Sequence, residues 1–389
     1  MTVKLSESEK RRVEEITRDL IRLQSDSAPN YEDDVGEYIY GFYKKLGIKA
    51  EKQICRNKRN NIIARISGKD SSHCTMYIGH MDTVPIEDAE FWTYEPLEAV
   101  TENKKMYGRG SCDMKGSIAC AMYVTEYMKK HEICPACDLL FVYDVDEENT
   151  NLGLKEYLKN PNIADFIVVG EPTDMKLAIG HRGVMAFDIA VHGKSCHAGK
   201  TELGKNAIYG AAEVMQSVRK LHNKISKKNQ EFTGNPSIQV TQISGGSKVN
   251  VIPNKAALQI DRRMIFGENR ESCEIEMREI LRAAAAKSGC RFELEITTYC
   301  PPGKTDIRNR QIRRISELLQ QHGISGEPEA FEASCEAGRL EEVLGVPTII
   351  WGPGAIAQAH QIDEYIELEQ LYKGAELFIS FFTMEDYHV

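Results

Sequence analysis

The sequence predicts a two-domain α/β protein, a main domain built on a sheet of buried strands with a smaller α+β unit inserted into it. Three observations carry this. The chain has 389 residues, more than one ordinary hydrophobic core organises. The segments "TMYIGH", "DLLFVYDVDEE", "DFIVVGEP" and "VPTIIWG" are apolar throughout, as in strands covered on both faces. Between them, "GVMAFDIAVHG", "SIQVTQISGG", "KAALQIDRRMI" and "RFELEITTY" alternate apolar and polar residues, as in strands with one face open.

Taken in order, "MTVKLSESEKRRVEEITRDL" reads as a charged amphipathic helix with Ser6 and Glu9 as its capping box. Strands follow at "NNIIARISG" and "TMYIGH", then a helix from about Gly116 to Lys130, then the buried strands "DLLFVYDVDEE" and "DFIVVGEP". The texture changes near Ile179. From there the order is strand, helix (about Asn206 to Ser226), strand, strand, helix (about Arg270 to Ser288), strand, which describes a ferredoxin-like unit. After "PPGK" come the helix "NRQIRRISELLQQHG", the strand "VPTIIWG" and the helix "LEQLYKGAELFISFF". The expected boundaries are 1–178 plus 292–389 for the main domain and 179–291 for the insertion.

Net charge is -9, which argues against a nucleic-acid partner or an acidic membrane surface. No apolar run approaches the roughly 20 residues of a membrane span. The first residues lack an apolar signal core, and the 11 scattered cysteines do not form a secreted disulfide framework. A cytoplasmic location with reduced thiols is therefore expected. The "CPAC" at Cys134–Cys137 has no second pair to complete a zinc ribbon, and two structural thiols are the favoured reading.

The chemistry lies at strand ends. His80-x-Asp82, Asp113 in "GRGSCDMKG", the run Asp146-Glu147-Glu148, and Glu171 in "VVGEP" close strand-to-loop junctions, and His360 sits in the loop after "VPTIIWG". Ligand sites in α/β sheets form outside the carboxyl ends of strands, so these side chains can converge. Two imidazoles and three carboxylates suit two divalent ions, zinc first, with cobalt or manganese as alternatives. Alone, each motif has a plainer explanation: a capped strand end, a solvated acidic turn, a Gly-Pro turn. Their joint occurrence makes the metal reading preferable. "GRGSCDMKGS" is not a phosphate loop, because Lys115 precedes Gly116, and "GPGAIA" opens no helix.

Together "GHMDTVP", "YGRGSCDMKG", "DEE", "GEPTD" and "GPGAIAQAHQIDEY" resemble the M20 metallopeptidases, a family that includes acetylornithine deacetylases, succinyl-diaminopimelate desuccinylases, aminoacylases and carboxypeptidase G2. "GEPTDMKLAIGHRG", "CEAG" and "GPGAIAQAH" resemble the deacetylase subgroup in particular. The resemblance implies a zinc-exopeptidase-like main domain with a mixed, mostly parallel sheet, and an inserted lid and dimerisation domain. It implies that Asp113 bridges two metals, His80 and Glu171 complete one site, and Glu148 and His360 the other. Asp82 would orient His80, and Glu147 would be the general base. His197, supplied by the partner subunit in dimeric relatives, would donate to the oxyanion. Asn250 and Arg263 would bind the substrate carboxylate, Gly354 would bring main chain to the substrate, and Glu336 would meet a substrate ammonium.

The implied activity is removal of a small acyl group from an amino acid, most simply acetyl from ornithine. Desuccinylation and dipeptide or carboxypeptidase cleavage at the same centre are the alternatives, and an inactive binding or scaffold protein ranks below them. The expected partners are a small N-acyl amino acid or dipeptide and a second copy of the chain, with no nucleic acid and no membrane.

Overall fold

A computed structural model describes residues 3–26, 32–56, 59–228 and 232–385. The chain forms two compact units. The first comprises Met1–Gly180, Thr305–Phe331 and Val343–Val389, and the second His181–Lys304 and Glu332–Glu342.

The sheet of the first unit runs, from one edge, Lys49–Arg56, Arg59–Ile66, Cys137–Asp144, Asp70–His80, Phe166–Val169, Thr348–Ile350 and Ala178–His181. The strands Cys137–Asp144, Asp70–His80, Phe166–Val169 and Thr348–Ile350 are parallel, with antiparallel strands on both sides. Their β-rich apolar sequences are buried along their whole length except at the start of Asp70–His80. Being parallel and in register, all four end at the same edge: His80 lies opposite Asp144, and Val169 opposite both Ile78 and Ile350. The sheet is therefore mixed and mostly parallel, as expected.

The helices Gly116–Lys130 and Leu368–Phe382 pack against each other, and Glu7–Arg22 packs on both. In Glu7–Arg22 the Ser6 hydroxyl accepts the Glu9 N–H, and the Glu9 carboxylate accepts the Ser6 N–H, completing the capping box. Phe378 anchors the last helix. It is fully buried, with its ring centroid 5.3 Å from that of Trp351 and 5.8 Å from that of Tyr77. Phe378→Ala leaves a cavity among three aromatic rings, and urea unfolding is expected to show a loss of about 3–5 kcal/mol. Among the described residues, no helix is long and apolar enough to cross a membrane.

The second unit carries an antiparallel sheet in the order Ser237–Gly245, Lys255–Met264, Gly183–His192, Arg291–Cys300. In chain order this is strand 2, 3, 1, 4, the ferredoxin-like arrangement. Met185, Phe187, Ile189 and Val191 alternate with half-buried residues and pack inward with the helices Ala207–Ile225 and Arg270–Ser288. The boundaries differ from those read off the sequence. Arg291–Cys300 pairs with Gly183–His192 along nearly its whole length, so 292–304 falls in this unit and not in the main one. Glu332–Glu342 joins it as well.

Candidate metal centre

The parallel strand ends set out the side chains. His80 is the last residue of its strand, and its Nδ1–H donates to the main-chain carbonyl of Asp82 at 2.9 Å. That bond turns Nε2 toward the acids, 3.2 Å from Asp113 Oδ1 and 3.9 Å from Glu171 Oε1. Glu171 follows Gly170, where a Cβ would lie 2.3 Å from the Tyr77 hydroxyl, so only glycine lets the chain pass there. On the other side His360 Nε2 lies 3.0 Å from Glu148 Oε1 and 3.4 Å from Asp113 Oδ2. The two oxygens of Asp113 thus face two different imidazoles. One ligand atom each from His80, Asp113 and Glu148 fall within 4.8 Å of one another.

Asp82 is fully buried and does something the sequence did not suggest. Its Oδ1 and Oδ2 accept the main-chain N–H groups of Glu147 and Glu148, each at 3.1 Å. Its Oδ1 is 3.8 Å from His80 Nδ1, so the expected carboxylate–imidazole hydrogen bond gives way to the carbonyl contact. Asp82 therefore fixes the turn that presents the two glutamates. The same turn is held from behind by Asp146, whose carboxylate takes Arg59 Nη2 at 2.8 Å, and Arg59 also pairs with the buried Glu32. Neither Arg59 nor Glu32 stands out in the sequence.

The electrostatics are those of crowded acids. Burial raises the Glu147 carboxyl to about 8, with Glu148, Asp82 and Asp113 adding to it against the opposing pull of His80. Burial and then Asp113 push Glu171 up as well. Burial works against ionisation of Asp113, yet the two imidazoles hold it well below the usual carboxylate range. His360 is raised to about 10 by its hydrogen bonds to Asp113 and Glu148. Burial disfavours charge on His80, but the Asp113 hydrogen bond and surrounding carboxylates outweigh it and raise that ring too. Protons here do the work of cations. A mixed imidazole and carboxylate set with excess buried negative charge fits divalent ions.

Gly354, with φ 96°, stands beside the Asp113 loop, where a Cβ would lie 2.7 Å from Cys112 Sγ. The remaining expected residues belong to the second unit. His197 is exposed on the two-residue strand Cys196–His197, paired with Val251–Ile252, and its Nδ1 accepts the Gly199 N–H at 3.1 Å. Asn250 is adjacent, its carbonyl accepting the Ala198 N–H at 3.0 Å. Arg263 donates from Nε to Asp261 Oδ1 at 2.9 Å, so its guanidinium is already paired. Glu336 is buried just before the helix Ala337–Leu344.

A mixed sheet whose parallel strand ends gather two imidazoles and several carboxylates presents a site whose donor set suits divalent ions. The model for peptidase family M20/M25/M40 matches residues 76–383, and the chain belongs to that family. It is 30% identical over 367 residues to an acetylornithine deacetylase of Vibrio campbellii, covering 91% of this chain and 93% of that one. An acetylornithine deacetylase of Vibrio cholerae serotype O1 is 32% identical over 324 residues, covering 82% of each. Among solved structures, the aminopeptidase PepT of Bacillus cereus superposes with a TM-score of 0.81 at 17% identity, covering 96% of this chain and 98% of that one. The Bacillus subtilis YXEP protein, described as a dinuclear metal binding peptidase from the M20 family, gives 0.73 at 17% identity, covering 97% and 98%.

Proposed function

We propose that this hydrolase is a cytoplasmic dizinc deacetylase of N-acetylated amino acids, with Nα-acetylornithine as its substrate. The observation that carries the metal part is the placement of Asp113, one oxygen toward His80 and the other toward His360. The acyl group is supported by the two deacetylase relatives.

His80, Asp113 and Glu171 would hold one zinc ion, and Glu148, Asp113 and His360 the other. When bound, such ions acidify water and polarise the amide carbonyl. Glu147 accepts the proton of the attacking water and returns it to the departing α-amine, a role for a group held beside the centre without serving as a ligand. Asp82 keeps Glu147 and Glu148 in register by gripping both their N–H groups. His197, with Nδ1 engaged by Gly199, offers its other nitrogen to the developing oxyanion from the partner subunit of a homodimer. Asn250 and Arg263 bind the substrate carboxylate, which for Arg263 means exchanging Asp261 for the ligand. Glu336 meets the side-chain ammonium, and Gly354 lends main chain to the bound amide.

The test is a panel of Nα-acetylornithine, other N-acetyl amino acids, N-succinyl-diaminopimelate and dipeptides on zinc-loaded protein. The expected result is the highest kcat/KM for Nα-acetylornithine. A succinyl compound or dipeptide preferred tenfold or more would replace the deacetylase assignment. Light scattering showing a fully active monomer would remove the trans role of His197.

A further inference from the structure

The loop that carries Asp113 is wrapped around one buried carboxylate, that of Glu364. Its Oε1 accepts the N–H groups of Cys112 at 2.9 Å and Asp113 at 3.0 Å. Its Oε2 accepts the Gly110 N–H at 3.0 Å and Arg109 Nη1 at 2.8 Å. Four donors thus converge on the four lone-pair positions of one carboxylate. Only the ionised form satisfies them all.

The partner of this carboxylate extends the tie. Arg109 is buried, its own N–H donates to the Pro96 carbonyl at 2.9 Å, and its guanidinium lies 5.1 Å from the Trp92 ring centroid. Its Nη1 also reaches the carbonyl of Gln361 at 3.3 Å. Gln361 immediately follows His360. The Gly108 N–H donates to the Glu364 carbonyl at 2.9 Å, so the two loops are joined by main chain as well. Arg109 and Glu364 therefore connect the loop presenting Asp113 to the loop presenting His360, and none of these hydrogen bonds uses the side chain of Asp113 or of His360.

We propose that Glu364 is a positioning residue for the metal centre. Its carboxylate fixes the main chain at Asp113 so that the Asp113 side chain stands between His80 and His360, and through Arg109 it keeps the His360 loop in register with it. The centre is thereby organised before any ion arrives, which lowers the ordering cost of binding. This rests on the reading of Asp113 as the shared ligand.

Glutamine cannot replace Glu364 here. Its amide turns an NH2 group toward two of the four donors, leaving buried N–H groups unpaired. Aspartate is one methylene short. An ordinary stabilising role would also make these variants worse, so the test separates stability from metal affinity.

Metal-stripped wild type, Glu364→Gln and Phe378→Ala are titrated with zinc against a chromophoric chelator, with circular dichroism and thermal melting in parallel. Wild type is expected to take up two equivalents. Glu364→Gln is expected to keep the wild-type spectrum and to lose affinity for at least one ion by about 10–100-fold. Phe378→Ala is expected to melt earlier yet bind zinc like wild type. Wild-type affinity in Glu364→Gln overturns the proposal, as does an equal loss in Phe378→Ala. A wild type that binds no zinc refutes the metal reading instead. If Glu364→Gln does not fold, hydrogen exchange on metal-free wild type decides. Protection of the segment 108–114 supports an organised loop, and exchange as fast as an unstructured peptide overturns it.

Discussion

Glu147→Gln is expected to abolish useful turnover while leaving two zinc ions bound. The main-chain N–H groups of Glu147 and Glu148 are held by the two oxygens of Asp82, so the neighbours are presented as a rigid pair. Glu148 turns its Oε1 to His360 at 3.0 Å. On the proposed reading, Glu148 would serve as ligand and Glu147 would remain for protons. In the metal-free chain burial lifts the Glu147 carboxyl to about 8, which would leave it protonated and useless as a base at neutral pH. Cations at the neighbouring ligands favour its ionised form. On that reading, the charge that would activate the water would also switch on the base. Losing a general base typically costs about 10²–10⁴-fold in kcat. Steady-state kinetics together with metal analysis decide the matter. A kcat within tenfold of wild type rejects the role, and loss of an ion from the variant would make Glu147 a ligand.

How much of this was legible beforehand follows from where each residue gets its partners. The strands that end at His80, Asp144, Val169 and Ile350 announced themselves by continuous apolar runs, and parallel strands share one carboxyl edge, so the gathering of His80, Glu148, Glu171 and His360 followed from the pattern. The strand Lys49–Arg56 carries no comparable signal, because it has no buried residue. The helix Glu32–Lys45 does carry one, in Val35, Ile39, Phe42 and Tyr43 at helical spacing, and the reading of the sequence leaves it unassigned. The spacing His-x-Asp said that Asp82 lies near His80. It did not say that the imidazole would take the Asp82 carbonyl and release the carboxylate for the glutamate turn. Glu364, in "HQIDEY", reads as one more acid in a polar loop, because three of its four donors are main-chain groups more than 250 residues earlier. Arg59 and Glu32 were hidden because their side-chain partners lie elsewhere in the chain: Arg59 pairs with Glu32 27 residues before it and with Asp146 87 residues after it. The domain boundary was misplaced because "RFELEITTY" alternates like the three strands before it, and only the pairing with Gly183–His192 fixes its side of the division.

Removing metal is expected to make the protein's stability depend on pH in a direction opposite to common acid denaturation. In the metal-free chain the Glu147 carboxyl is raised from 4.5 to about 8, and the His360 imidazole from 6.5 to about 10. Both groups hold protons in the folded state that the unfolded chain has already released. Stability from a raised group is fully present below its unfolded value and is lost as pH climbs through its folded value. The metal-free protein should therefore melt at progressively lower temperature from about pH 5 to pH 8 as Glu147 contributes, with His360 extending the decline upward from pH 6.5. Zinc reverses this. Its ligands must be free of protons, so proton release accompanies binding and affinity strengthens with pH. Excess zinc stabilises by RT ln(1 + [Zn]/Kd), about 4 kcal/mol at a thousandfold excess over Kd. The gap between the melting temperatures of zinc-loaded and chelator-treated protein should accordingly widen between pH 6 and pH 8, and calorimetry in buffers of different ionisation enthalpy should report protons released. A gap that stays constant or narrows over that range would mean that the buried acids and imidazoles do not share their protons with the metal, and the site would then have to be read as an ordinary ion-pair network.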